Sequence, residues 1–146
     1  AVEVRNGRWV EEELLDILRA NRVALVLNNY YTMPALGELC RRVNPLTADF
    51  LYVRFLGDRK RMDEYVEGLI ERGEKERHWD QLVLERSGET ADWARALQQL
   101  VGAEPERAVY AFFNNHYAGY APGSLGLFAK AWKDAAITGN RRDLIG

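Results

Sequence analysis

Glu3 and Arg5 stand two residues apart in a short β-branched stretch, and Tyr52 and Arg54 repeat that spacing in a second one. Side chains two apart on a strand share a face, so each pair points to one side of its strand. A charge on a strand covered on both faces is costly unless it is paired. These residues therefore need a polar mouth or each other. In a binding site, Arg5 and Arg54 would grip a carboxylate or phosphate, with Tyr52 beside them. Glu3 would orient a sugar hydroxyl or act as a general base. In a structural role, a Glu3–Arg54 or Glu3–Arg5 ion pair simply fills the interior.

A second group follows an aromatic stretch at residues 109–113: Asn114, Asn115 and His116. If the strand continues, Asn115 shares a face with Ala111 and Phe113, and Asn114 shares one with Tyr110 and Phe112. The smaller Ala111 favours Asn115 as the inward residue. Such amides can hydrogen-bond substrate oxygens, and a histidine moves protons near neutral pH. Equally, the asparagines can satisfy loop backbone groups while His116 packs. Tyr117, Gly119, Tyr120 and Pro122 read as a loop offering an aromatic wall to a ring or sugar, as do Asn29, Tyr30 and Tyr31 with a weaker pattern. The candidate catalytic residues are thus Glu3 and His116. The candidate ligand-binding residues are Arg5, Tyr52, Arg54, Asn114, Asn115 and Tyr117.

Other chemistries find little support. His78 and His116 are too far apart for clustered metal spacing, and His78 reads as a surface residue beside Trp79. Glu3 and Asp58 supply parts for a carboxylate-held Mg²⁺ but no pattern. Cys40 is the sole cysteine, so there is no internal disulfide, and it falls among Leu36, Leu39 and Val43 at helical spacing, which makes it core. No Gly-x-Gly-x-x-Gly or Walker-type glycine run follows any strand, and no cofactor is indicated.

The elements that must position these residues alternate. Residues 2–5, 23–27, 50–55 and 108–113 are rich in β-branched and aromatic residues and read as strands. Apolar residues at helical spacing predict helices over 10–20, 36–43, 62–76, 79–85, 92–101 and 124–137, with Ser87-Gly88 as a break and Gly139 as a stop. Strict strand–helix alternation implies parallel strands joined by right-handed crossovers, an α/β fold. The unbroken apolar run at 23–27 suits a strand covered on both faces.

With 146 residues, 47% of them hydrophobic and 29% charged, the chain is one domain, 1–146, too short for a whole eight-stranded barrel. Twenty basic against 22 acidic residues give no positive field for nucleic acid, and runs such as Arg59-Lys60-Arg61 read as solvated loop charge. No apolar stretch is long enough for a membrane span, and residues 1–5 lack a secretory core, so the expected compartment is the cytoplasm.

Four stretches taken together carry a resemblance: VEVRNGRW at 2–9, DFLYVRFLGDR at 49–59, DWARALQQL at 92–100 and VYAFFNNHYAGYAPGSLGLFAKAW at 109–132. They resemble the YecE-like family, domain of unknown function 72, over nearly the whole chain but matching the C-terminal half of that family. Complete members look like closed β/α barrels of the TIM type. The resemblance implies half of such a barrel, about four parallel strands with flanking helices, and a fragment of a longer chain. The missing half would come in cis or from another copy. Where the family pattern suggests an acidic residue after the 23–27 strand, this chain has Asn28-Asn29. The implied function is a small polar or anionic ligand held at the C-terminal strand ends; the alternative is a non-catalytic assembly module.

Overall fold

The computed structural model describes residues 1–74, 79–102, 104 and 106–142, with side chains described as far as residue 137. His78 lies outside the described residues. The elements run α1 (Glu12–Ala20), β1 (Val26–Asn29), α2 (Leu36–Arg42), β2 (Leu51–Phe55), α3 (Arg59–Glu71), α4 (Ser87–Val101), β3 (Val109–Phe113) and α5 (Ala121–Arg142), with 3-10 turns at Gly7–Trp9 and Asn115–Tyr117. The strands form one parallel sheet in the order β1-β2-β3, with Val26 opposite Tyr52 and Leu51 opposite Val109. Among the described residues, no helix is long and apolar enough to cross a membrane.

The expected first strand is reduced to a single parallel bridge. Val2 donates to the Ala24 carbonyl at 2.8 Å and accepts from the Val26 amide at 2.8 Å, opposite Leu25. Pairing stops because the chain then turns: Asn6 accepts from the Arg8 amide and starts the 3-10 turn. Residues 79–85, expected to be helical, are not. The Val83 and Leu84 amides both donate to the Ala118 carbonyl, at 2.8 and 3.2 Å, a tertiary bond that replaces the i to i−4 bonds of a helix. Ser87-Gly88 is the first turn of α4 rather than a break, since Glu85 accepts from the Ser87 amide at 2.6 Å and satisfies a donor the helix start leaves open. In α5, Pro122 is accommodated in the first turn, where its missing N–H costs nothing, so the helix starts before Ser124; it also continues past Gly139.

Helices cover one face of the sheet. Leu25, Leu27, Leu51, Val53 and Phe55 point into a core with Leu15 and Leu18 of α1, Leu36 and Leu39 of α2, Trp93 and Leu97 of α4 and Phe128 of α5. Phe55 stacks on Phe113 at 4.2 Å and meets Trp93, Tyr117 and Phe128 within 5.4 Å. Cys40 packs against the same core, and its burial pushes the thiol pKa up. On the other face, Tyr52 stacks on Phe112 at 4.9 Å and Phe50 meets Tyr110 at 5.9 Å, with Tyr110 and Phe112 both exposed. The cover on both faces expected of the 23–27 stretch holds at Leu25 and Val26, which are both buried.

Candidate functional site

Strand alternation sends Glu3 and Arg54 to the open face, and there they meet. The Glu3 carboxylate accepts from Arg5 Nε at 2.6 Å through one oxygen and from Arg54 Nη1 through the other. Burial would raise the Glu3 pKa, but the hydrogen bonds from Arg5 and Arg54, helped by their charge, hold it below the ordinary carboxylate value. Arg5 also lies over the Tyr30 ring, 5.2 Å from its centroid. Tyr52 sits next to this trio on the same strand face, stacked on Phe112. The four residues read as same-face pairs from sequence are therefore on one face, with the carboxylate taken up by both arginines.

Arg54→Met is expected to cost about 1–3 kcal/mol, because it leaves the half-buried Glu3 carboxylate short of a donor. Adding Glu3→Gln should recover most of that loss, which urea midpoints of the two single variants and the double variant would measure. Because the folded Glu3 pKa is lowered, the unfolded chain binds its proton first as pH falls. The pair's contribution is thus complete above the ordinary carboxylate value of about 4.3 and disappears as pH drops through the lowered folded value. Glu3→Gln should flatten that acid limb.

The residues after β3 turn inward on the backbone. Asn114 accepts from the His116 amide at 2.9 Å, and Asn115 accepts from the Ala121 amide at 2.8 Å, capping the start of α5. Both asparagine oxygens are therefore on loop and helix-start donors. His116 places its ring against Trp79 at 5.3 Å, with Nδ1 buried and without a partner among the described residues. Tyr117 is 1% exposed, so it forms core and not the open aromatic wall expected of the 117–122 loop. The reason is its neighbours: Phe55 and Phe113 pack on its ring, and its hydroxyl meets Thr90 Oγ1 at 3.2 Å. Burial raises the Tyr117 pKa to about 12.

Elsewhere at the strands' C-terminal ends lies a cleft of about 510 Å³ built from the β1–α2 connection, the β2–α3 connection and the start of α4. Asn29, Tyr30 and Tyr31 form one wall, Gly57, Asp58 and Arg61 another, and Arg86, Glu89 and Asp92 a third. Glu89 is held at both oxygens: Asn29 Nδ2 donates to one, and Arg86 Nη1 donates to the other at 2.5 Å. Arg86 is 9% exposed in its side chain and lies over the Tyr117 ring at 4.9 Å. The strand end where a carboxylate was expected thus has an asparagine, and α4 brings a carboxylate to it.

None of the eight candidates from sequence lines this cleft. Tyr30 and Tyr31, singled out with the weaker pattern, do. Arg86 and Glu89 were missed, although Arg86 and Glu89 three apart at a helix start is a pattern that sequence carries. Among the described residues, no group of three or more His, Cys, Asp or Glu side chains converges to hold a metal ion.

A family described as "Protein of unknown function DUF72" matches residues 1–142. The chain belongs to this family. No curated protein and no solved structure gives a match. The DUF72 match covers every element from the Val2 bridge to the end of α5, so the cleft and the Glu3 trio both lie within the family region.

Proposed function

We propose that this DUF72 chain binds a small polar ligand in the cleft at the C-terminal ends of its strands, as a domain of β/α-barrel type. The observation that carries the reading is convergence: three separate connections bring polar side chains around one space, at the end of a parallel sheet where such folds place their ligands. Arg5 touches the cleft's wall through Tyr30. The test is a thermal-shift screen of small polar molecules, in which a binder at about 100 times its dissociation constant adds about 2.7 kcal/mol. Gly37 lines the cleft and a Cβ there would meet only the flexible end of Arg41, at 3.9 Å, so Gly37→Trp should fill the cleft and abolish the shift while leaving the unliganded protein folded. Ligand shifts that survive Gly37→Trp would refute the reading.

The exposed aromatic face favours a second reading, in which the sheet is an assembly surface. All-parallel sheets occur almost only with both faces covered, and here Tyr110 and Phe112 are exposed on the face the helices leave bare. The cover would be another barrel half, in cis or from another copy of the chain. A stable, monodisperse monomer of these 146 residues would count against it.

A further inference from the structure

We infer that the cleft takes a neutral, hydroxyl-rich ligand of the sugar or polyol class in preference to an anion; the inference rests on the ligand-binding reading above. Two helices of eight residues or more begin at the cleft, α3 and α4. A helix start attracts negative charge, because its first N–H groups are unpaired and its dipole is positive there. At both starts the chain has already supplied that charge. Asp58 accepts from the Arg61 amide at 3.2 Å at the start of α3, and Glu89 stands in the first turn of α4. Arg86, the most deeply placed cation of the cleft, is committed to Glu89. An incoming phosphate or carboxylate would meet three carboxylates of the lining, Asp58, Glu89 and Asp92, against the one outward guanidinium of Arg61 among the described lining residues.

A hydroxyl meets the opposite situation. Glu89 is fixed from both sides by Asn29 and Arg86, yet its side chain remains one-third exposed, so each oxygen keeps lone-pair capacity for a ligand O–H. Because its position is set by partners from two different elements, little ordering is left to be done when a hydroxyl arrives. Beside it Tyr31, 69% exposed, offers a ring against which the C–H face of a sugar can lie, backed by Tyr30 at 4.5 Å. Acceptors at fixed positions with an adjacent aromatic ring suit a polyhydroxylated ring.

The experiment uses saturation-transfer NMR and thermal shift on the whole chain, with neutral monosaccharides and inositol as one set of probes. Glucose 6-phosphate, citrate and inorganic phosphate are the other. The expected result is a response to neutral probes and a weak or absent response to the anions. Tyr31→Ala should weaken the neutral response roughly tenfold without moving the unliganded melting temperature, since the ring is mostly exposed. Glu89→Gln should weaken it as well. A response to the anions over the neutral probes, lost in Gly37→Trp, overturns the ligand class and leaves the cleft as a site. Silence from every probe overturns both, and a neutral response untouched by Tyr31→Ala and Glu89→Gln overturns this inference by placing the sugar elsewhere.

Discussion

Phe55→Ala is expected to destabilise the protein by about 3–5 kcal/mol, whereas Phe112→Ala should cost less than about 1 kcal/mol. The two residues are both phenylalanines near the C-terminal ends of neighbouring strands of one parallel sheet. They differ in which face they serve. Phe55 is 0% exposed and touches four aromatic rings, so truncation removes a large buried surface and leaves a cavity that the surrounding helices cannot collapse into. Phe112 is 50% exposed and touches Tyr52 alone among the ring contacts of the described residues. Denaturant or thermal unfolding of both variants is the measurement, with a drop in melting temperature on the order of 10 °C for Phe55→Ala. Equal costs would mean that the aromatic face is covered in solution, which is the outcome the assembly reading requires.

Gly57→Ala is the second large effect, expected at about 3 kcal/mol or more from left-handed strain added to overpacking. Gly57 has φ +79°, and a Cβ there would lie 2.4 Å from Tyr117 Cα and 2.5 Å from the His116 carbonyl oxygen. Both are backbone atoms, so no side chain can swing away. The clash would push the 115–117 turn off the end of β2 and open the cleft wall that Gly57 and Asp58 form. Gly73→Ala is the matched control: its φ is +74°, but nothing lies within 4 Å of the added Cβ, so it carries the strain alone, about 1 kcal/mol. Unfolding curves for the two variants separate strain from clash. If Gly57→Ala cost no more than Gly73→Ala, the close approach of β2 to the 115–117 turn would be wrong.

Much of the architecture was legible in the residues because it depends on local period. The apolar stretches at 23–27, 50–55 and 108–113 contain or overlap all three strands, and the spacing of Leu14, Leu15, Ile17 and Leu18 or of Trp93, Ala94, Leu97 and Leu100 marks helix faces that α1 and α4 do turn to the core, except at Ile17, which is exposed. Parallel order followed from alternation, since a helix between strands returns the chain to the same end of the sheet. The period of two placed Glu3 with Arg5 and Tyr52 with Arg54, and a Glu3–Arg54 pair stood as one alternative; the fold, with β1 between the two stretches, decided that they meet.

What needed the tertiary structure was everything decided by contacts distant in sequence. Residues 79–85 have helical spacing, yet the Ala118 carbonyl claims two of their amides, and a local pattern cannot report a partner over thirty residues away. Tyr117 looks like an exposed loop aromatic by its neighbours Gly119 and Pro122, but Phe55, Phe113 and Thr90 close around it. The cleft is of the same kind. Asn29 and Glu89 are sixty positions apart and become a fixed pair because β1 ends where α4 begins. Period places a side chain on a face, and this sequence states its periods clearly; which faces and ends then meet is decided by packing between elements distant in sequence.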